Sequence, residues 1–357
     1  MLRSDQPLVR RQLLRTLVRP LLRWYDRSCR DLPWRARAGQ QANPYHVLLS
    51  ELMLQQTQVA TVIPYFDRFI ARFPTIASLA AADVHDVLKL WQGLGYYSRA
   101  QNLLAAARMV EDQFGGLVPG DVESLRRLPG VGRYTAGAVA SIAFGKTEPI
   151  LDGNVARVIC RLDRIESADV RDRATVERLW TRATELVPKS RPGDFNQAMM
   201  ELGALVCTPR NPQCLICPLN NVCQAFAAGM QDRIPAPRKP NRTPLVKRRT
   251  YCLERDGKWL IEQRPSRGRW AGMWQFITVE RAMKIDGSKR LGRISHSLTH
   301  RRYQFDVYRC HDRASDQAAQ FVQADTRPRR WVSLAELSEY PLPKPHVRIA
   351  QMLADVK

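Results

Sequence analysis

The stretch Leu128-Pro129-Gly130-Val131-Gly132-Arg133-Tyr134-Thr135-Ala136 decides how this chain is read. It sits inside Asp121 to Phe144, whose pattern predicts helix, tight turn, helix. A Pro-Gly-x-Gly turn entering a helix presents backbone N–H groups at the positive end of the helix dipole, and such a site binds phosphate. Glycines there let a phosphate backbone come close, so Gly130, Val131 and Gly132 are candidate contacts to DNA. Alone, the turn is often just a hairpin between two helices. Leu151-Asp152-Gly153-Asn154-Val155, about twenty residues on, makes it specific.

Outward from the hairpin the texture stays helical. Residues 8–25 place Leu13, Leu14, Leu17, Val18, Leu21, Leu22 and Tyr25 on one face and arginines on the other. Asn43-Pro44 is a helix start, with helices following to about residue 112 and again over 153–164, 173–187 and 194–206. No strand-like alternation precedes residue 230, so 1–230 is read as all-α. Four prolines among basic residues between Ile234 and Pro244 predict a linker over 231–247. Beyond it, Thr250–Leu253, Lys258–Gln263, Trp274–Val279 and Tyr303–Tyr308 read as strands, and Ser333–Tyr340 and Val347–Val356 as helices. Residues 248–357 are therefore expected to form a smaller α+β domain.

The net charge is +22, with 56 Lys and Arg against 34 Asp and Glu. Residues 1–40 and 231–357 carry +7 and +14 of it, leaving the centre nearly neutral. Two basic flanks favour a polyanionic partner, nucleic acid before an anionic membrane surface. No apolar run approaches the ~18 residues of a membrane span. The N-terminus lacks a secretory signal, so a cytoplasmic, nucleoid-associated bacterial protein is expected.

Four of eight cysteines form Cys207-x6-Cys214-x2-Cys217-x5-Cys223. Such clustering fits a metal site in a reducing compartment, either one tetrahedral zinc or one iron-sulfur cluster, and spacing alone leaves both open. Glu51 is a lone carboxylate in the apolar run from His46 to Gln56. It either points to solvent or is desolvated, which would raise its pKa and make it a proton donor near neutral pH. Asp152 reads locally as an N-cap. One raised and one ionised carboxylate across a glycosidic bond is an arrangement that cleaves it through an oxocarbenium-like state.

Asp31-Leu32-Pro33-Trp34-Arg35, Asn43-Pro44-Tyr45, Ser50 to Val59, Gly93 to Arg99, Leu128 to Ala138, Asp152 to Asn154, Phe195 to Ala198 and the four cysteines together resemble the helix-hairpin-helix base-excision glycosylases, and within them the adenine DNA glycosylases of the MutY type. The resemblance implies a six-helix barrel with an iron-sulfur helical module, followed by a Nudix-like lesion-recognition domain. It implies a [4Fe-4S] cluster on Cys207, Cys214, Cys217 and Cys223. It also implies a monomer that removes adenine mispaired with 8-oxoguanine or guanine in duplex DNA. Glu51 would protonate the adenine, Asp152 would stabilise the sugar cation, and Tyr134 and Asn154 would support Asp152 and the attacking water. Gln56 and Tyr96 match positions that enter the duplex where the base is extruded. Endonuclease III-like relatives carry at position 134 a lysine that forms a Schiff base and cuts the strand. Tyr134 cannot, so a monofunctional glycosylase is expected.

In the C-terminal part, Arg264-Pro265-Ser266 and Gly272 to Phe276 fit the Nudix-like pattern, without the clustered glutamates of a Nudix pyrophosphatase. The family's His-x-Phe-Ser-His loop corresponds to His296-Ser297-Leu298-Thr299-His300, where the hydroxyl persists as Thr299. Thr299 oxygen would accept from the N7–H that distinguishes 8-oxoguanine from guanine. The alternatives are an ordinary strand turn at that loop and, for the whole chain, a G:T thymine glycosylase, a non-catalytic mismatch-binding protein or an iron-sulfur electron carrier. Retention of both Glu51 and Asp152 argues against a binder without chemistry.

Overall fold

The computed structural model describes residues 11–36, 40–166, 172–236, 243–280, 285, 287–311 and 327–355. Residues 8–10 of the expected first helix and 237–242 of the expected linker lie outside them. Backbone contacts divide the chain into two units, one of 1–80 with 105–239 and one of 81–104 with 240–357.

The first unit is helical. A π-type turn over Leu14–Val18 runs into α1 (Arg19–Ser28). Pro20, at the start of α1, has no N–H to give to the preceding turn, which widens. Asn43 caps α2 (Pro44–Leu54), its side chain accepting from the amides of Tyr45 and His46. From Val47 to Met53 every side chain of α2 is buried, so this is a central helix without a wet face. α3 (Val59–Arg72) and α4 (Ile76–Ala80) follow.

The hairpin forms where the sequence puts it. Asp121 caps α7 (Val122–Arg127), and Gly130, at φ 79°, turns the chain into α8 (Arg133–Phe144). α9 (Gly153–Leu162), α10 (Arg173–Leu186) and α11 (Pro192–Leu205) complete the helices before the cysteine loop. That loop carries single 3-10 turns at Cys214–Ile216 and Asn220–Val222, then α12 (Gln224–Ala227). Leu17, Val18 and Leu21 share one core with Val158, Ile159, Phe195 and Leu202.

The second unit joins α5 (Val84–Trp91) and the start of α6 (Ser98–Phe114) to a six-stranded sheet. Its strands are β1 (Leu245–Arg255), β2 (Lys258–Gln263), β3 (Trp274–Val279), β4 (Lys289–Leu298), β5 (Arg301–His311) and β6 (Arg329–Val332), in the order β4-β5-β1-β3-β2-β6. Among the described strands only the β1–β5 pair is parallel. Period-two alternation on β1 sends Cys252 to one face, with Trp274, Phe276 and Phe305, and Tyr251 and Leu253 to the other. α13 (Lys344–Asp355) covers the first face with Ile349 and Leu353.

Two expectations are corrected and one is extended. The contacts do divide inside the expected linker, between 239 and 240, but 81–104 groups with the sheet as well: Gln101 donates to Ala271 O, the Leu342 amide to Gln92 and Lys89 Nζ to Glu339. The 231–247 linker is shorter at both ends. Ile234 is buried and its carbonyl accepts from Arg161, and β1 already starts at Leu245. Ser333–Tyr340 holds a 3-10 turn, Glu336–Glu339, rather than an α-helix, since it is too short to propagate between the β6 strand and Pro341. Among the described residues no helix is long and apolar enough to cross a membrane.

Candidate active site

A cavity of about 880 Å³ in the helical unit is lined by Glu51, Tyr134, Asp152, Asn154 and Gln56, together with Leu32, Trp34, Arg35, Met200 and Glu201. Five of the residues singled out from the sequence therefore meet at one place, brought there by α2, α8, α9 and the turn after α2.

Glu51 faces this cavity from a helix otherwise sunk in apolar packing, and is 6% exposed. Burial pushes its carboxyl up from 4.5 to about 7, opposed by the Tyr134 hydroxyl, assisted by the Asp152 charge and opposed by Arg35. The Tyr134 hydroxyl also donates to Met200 Sδ at 3.1 Å, and burial beside two carboxyls keeps it protonated.

Asp152 is both things the sequence offered. As the N-cap of α9 it accepts at Oδ1 from the Val155 amide at 2.7 Å. Its Oδ2 accepts from Asn154 Nδ2 at 3.1 Å. Burial raises its pKa, and the amides, the Asn154 side chain and the Arg157 charge oppose that rise. Two good donors and a helix N-terminus make Asp152 the better supported anion of the pair, leaving Glu51 as the natural proton carrier.

Arg157 was not singled out from the sequence. Its Nη2 donates to Asn154 Oδ1 at 2.9 Å and to Gly203 O at 2.8 Å, and its Nε donates to Cys207 O at 2.8 Å. Gly203 permits the approach, since a Cβ there would sit 2.7 Å from that of Asn154. Glu201, 1% exposed, was missed too. Burial alone would raise its pKa, but hydrogen bonds from Arg30 and Arg35 hold it down at about 2. Both were open to discovery: Arg157 stands one turn after Asn154, and Glu201 is, like Glu51, a lone carboxylate in an apolar helix.

In the hairpin turn, Gly130 and Gly132 are exposed, but Val131 is not available as expected. Its side chain is buried and its amide donates to Leu128 O at 3.1 Å, closing the turn. Gln56 is exposed at φ 57° on the cavity rim.

The second unit brings Tyr96 and Thr299 together, their hydroxyls in hydrogen-bond contact. Tyr96 is held at φ 47°, and the buried Arg99 guanidinium donates to Gly95 O at 3.0 Å and lies over the Trp91 and Tyr96 rings. Thr299 and His300 are the two turn residues of the β4–β5 hairpin, both exposed. The strand-turn reading is thus correct for the backbone, and it is the turn that presents Thr299.

The four cysteines of the loop are partly buried and electrostatically coupled to one another. Burial pushes the bare Cys217 thiol up to about 12, so only a bound cation draws off its proton. The buried Arg161 donates from Nη1 to Cys207 Sγ at 3.3 Å and to Thr208 O at 2.7 Å, placing positive charge where thiolates would gather. Among the described residues no three His, Cys, Asp or Glu side chains close tightly enough on one bare ion. A cubane asks for less, since each cysteine binds its own iron.

Residues 207–223 match the iron-sulfur binding domain of endonuclease III, residues 49–184 the HhH-GPD superfamily base excision DNA repair proteins, and residues 250–352 the NUDIX domain. The mouse (Mus musculus) adenine DNA glycosylase is 38% identical over 88% of this chain and 73% of its own length. This chain belongs to the adenine DNA glycosylases. The rat (Rattus norvegicus) adenine DNA glycosylase is 43% identical over 73% of this chain, which spans only 60% of that relative. A thermostable thymine-DNA glycosylase shares the fold at TM-score 0.54 and 30% identity, over 61% of this chain and 98% of its own. A non-covalent endonuclease III–DNA complex does so at TM-score 0.51 and 26%, over 62% and 98%. As in the iron-sulfur binding domain of endonuclease III, the loop is an iron-sulfur one, and Cys207, Cys214, Cys217 and Cys223 are the ligands available for a [4Fe-4S] cluster.

Proposed function

We propose that the protein is a monofunctional glycosylase that hydrolyses the N-glycosidic bond of adenine mispaired with 8-oxoguanine or guanine in duplex DNA. The observation that carries this is the pair Glu51 and Asp152 in one cavity, the first buried with its carboxyl raised to about 7, the second held by an amide and an asparagine. Membership of the adenine DNA glycosylases and the likeness to an endonuclease III–DNA complex support the substrate and the DNA partner.

The extruded adenine enters the cavity, and Glu51 delivers its proton to the base as the C1′–N9 bond stretches. Asp152 faces the positive charge that develops on the sugar. Water then adds at C1′ and gives its proton to the Glu51 carboxylate, which restores the acid, with Tyr134 and Asn154 keeping the carboxyls in place. Tyr134 has no amine to attack the sugar, so the strand stays intact. Gly130 and Gly132 with the first amides of α8 hold a backbone phosphate, and Gln56 and Tyr96 are side chains that enter the duplex. Cys207, Cys214, Cys217 and Cys223 hold the cluster, which when bound cross-links the loop after α11. Thr299 reads the lesion opposite. The protein works as a monomer.

Single-turnover incubation with an A:8-oxoguanine duplex, followed by hot alkali, should give one cleaved product at the adenine and none before alkali. Excision of thymine from G:T with adenine left intact would instead favour the activity named for its thymine-glycosylase neighbour.

A further inference from the structure

The helix that opens the described chain carries Arg11, Arg15, Arg19, Arg23 and Arg27, one every four residues, and all five are exposed. In a plain α-helix each four-residue step overshoots a full turn by about 40°, so the four steps from Arg11 to Arg27 would spiral off one face. The π-type turn at Leu14–Val18, closed by the Arg19 amide on Leu14 O, winds more slowly and takes back part of that drift between Arg15 and Arg19. The arginines thus form one stripe about 24 Å long, at 1.5 Å per residue.

Among the described residues nothing neutralises it. Gln12 to Tyr25 contains no acidic residue, and Asp26 is taken by Arg191. Among the described residues none of the five side chains has an ion-pair or hydrogen-bond partner. Arginines four apart on a helix repel each other, so the sequence sustains an unfavourable array that an external anion would relieve. The opposite face is already used: Leu17, Val18, Leu21 and Tyr25 are buried in the core. A helix that lies on a membrane needs that face free.

We propose that the stripe is a second duplex-DNA contact, separate from the catalytic cavity, which grips the phosphate backbone without reading sequence. This rests on the reading of the chain as an enzyme acting on DNA. A row of guanidiniums fits a row of phosphates, and 24 Å spans the axial rise of about seven base pairs at ~3.4 Å each. Arginine's planar fork pairs with phosphate oxygens two at a time. With one duplex segment in the cavity and another on the stripe, the protein bridges two stretches of DNA and passes between them while searching.

The test uses the full chain, with the cavity filled by one equivalent of mispaired duplex, and a second labelled duplex titrated in at increasing salt. The wild type should bind the second duplex. The Arg11→Gln/Arg15→Gln/Arg19→Gln/Arg23→Gln variant should bind it at least tenfold more weakly, its log K–log salt slope falling by up to ~0.9 per lost phosphate contact. The same four positions as lysine should keep most of the binding, which rules out a folding defect. Equal binding of the second duplex by the glutamine variant overturns the proposal. So does stripe-dependent capture by phosphatidylserine-rich vesicles with no second duplex bound. Single-turnover release of adenine is read in parallel: loss of the second duplex with excision intact concerns the stripe, whereas no excision from any variant refutes the enzymatic reading and leaves the stripe standing or falling on its own titration.

Discussion

Arg157 holds Asn154 from behind. Its Nη2 donates to Asn154 Oδ1 at 2.9 Å, which turns the amide nitrogen of Asn154 toward Asp152 Oδ2 at 3.1 Å. The same guanidinium bonds the carbonyl of Cys207, so the first cluster cysteine and the active-site carboxylate are two hydrogen-bonded side chains apart. Arg157→Gln should leave duplex affinity near normal and slow single-turnover excision by roughly 10–100-fold, the usual range for a residue that orients a functional ligand. It should also release iron more readily on dilution. Normal excision with normal iron retention would show that the relay is only scaffolding.

Glu51 gives the pH dependence its sign. Its proton is needed on the enzyme, and its pKa in the folded chain is about 7. Excision should fall as pH rises through that value, and Glu51→Gln should be at least ~100-fold slower and flat across the range. Stability runs the same way. Unfolded, the group titrates near 4.5, so the stabilisation from a neutral Glu51 is complete below about 4.5 and is lost as pH rises through about 7. Glu51→Gln should therefore gain roughly 3 kcal/mol over wild type above pH ~8 and almost nothing at pH ~4, measured by denaturant melts. A constant gap would mean Glu51 does not titrate there.

Glu201 behaves oppositely. Arg30 and Arg35 hold its pKa near 2, so its contribution is present above about 4.5 and fades as pH falls toward 2. Glu201→Leu leaves two guanidiniums facing an apolar cavity wall, which should cost about 3–5 kcal/mol. Equal melts for variant and wild type at neutral pH would contradict this.

The purified protein should be brown and hold about four iron and four sulfide per chain, with Cys214→Ser losing both together with stability rather than a chemical step. Zinc in their place would overturn the assignment.

What the sequence made legible follows from where periodicity and chemistry coincide. The hairpin was readable because Pro129, Gly130 and Gly132 each restrict the backbone, and the central strands because their inward faces are apolar. β4 and β6 went unread because they are the two sheet edges: Lys289-Arg290-Leu291-Gly292-Arg293 is half basic and bulged between Arg290 and Gly292, and β6 has only four residues. Glu51 and Asp152 stood out as carboxylates in apolar or capping positions. Arg157 and Glu201 carry only the local hints of Asn154 one turn earlier and of an apolar helix, and the contacts that fix them are long-range, 46 residues to Gly203 and 171 to Arg30. The grouping of 81–104 with the sheet is likewise a long-range packing choice, made by Gln92, Gln101 and Lys89, with no local signature.

Thr299 and Tyr96 carry the last prediction. Their hydroxyls touch, so Tyr96 fixes which way the Thr299 oxygen points, and Arg99 in turn fixes the loop that bears Tyr96. 8-oxoguanine presents an N7–H where guanine presents a lone pair. An oxygen aimed at that hydrogen gains a bond with the lesion and meets a repelling lone pair with guanine. Thr299→Val keeps the shape and removes the oxygen, so the ratio of excision from A:8-oxoguanine to excision from A:G should drop by the ~1–3 kcal/mol of one unsatisfied donor, roughly 5- to 150-fold. Tyr96→Phe should lower the same ratio less, and the double variant should do no worse than Thr299→Val alone, because both changes act through one oxygen. Rates on A:G should hold or rise as that repulsion is removed, which separates lost recognition from lost folding. If neither single variant alters the ratio, the lesion is read elsewhere and the β4–β5 turn serves only to tie the sheet to Tyr96.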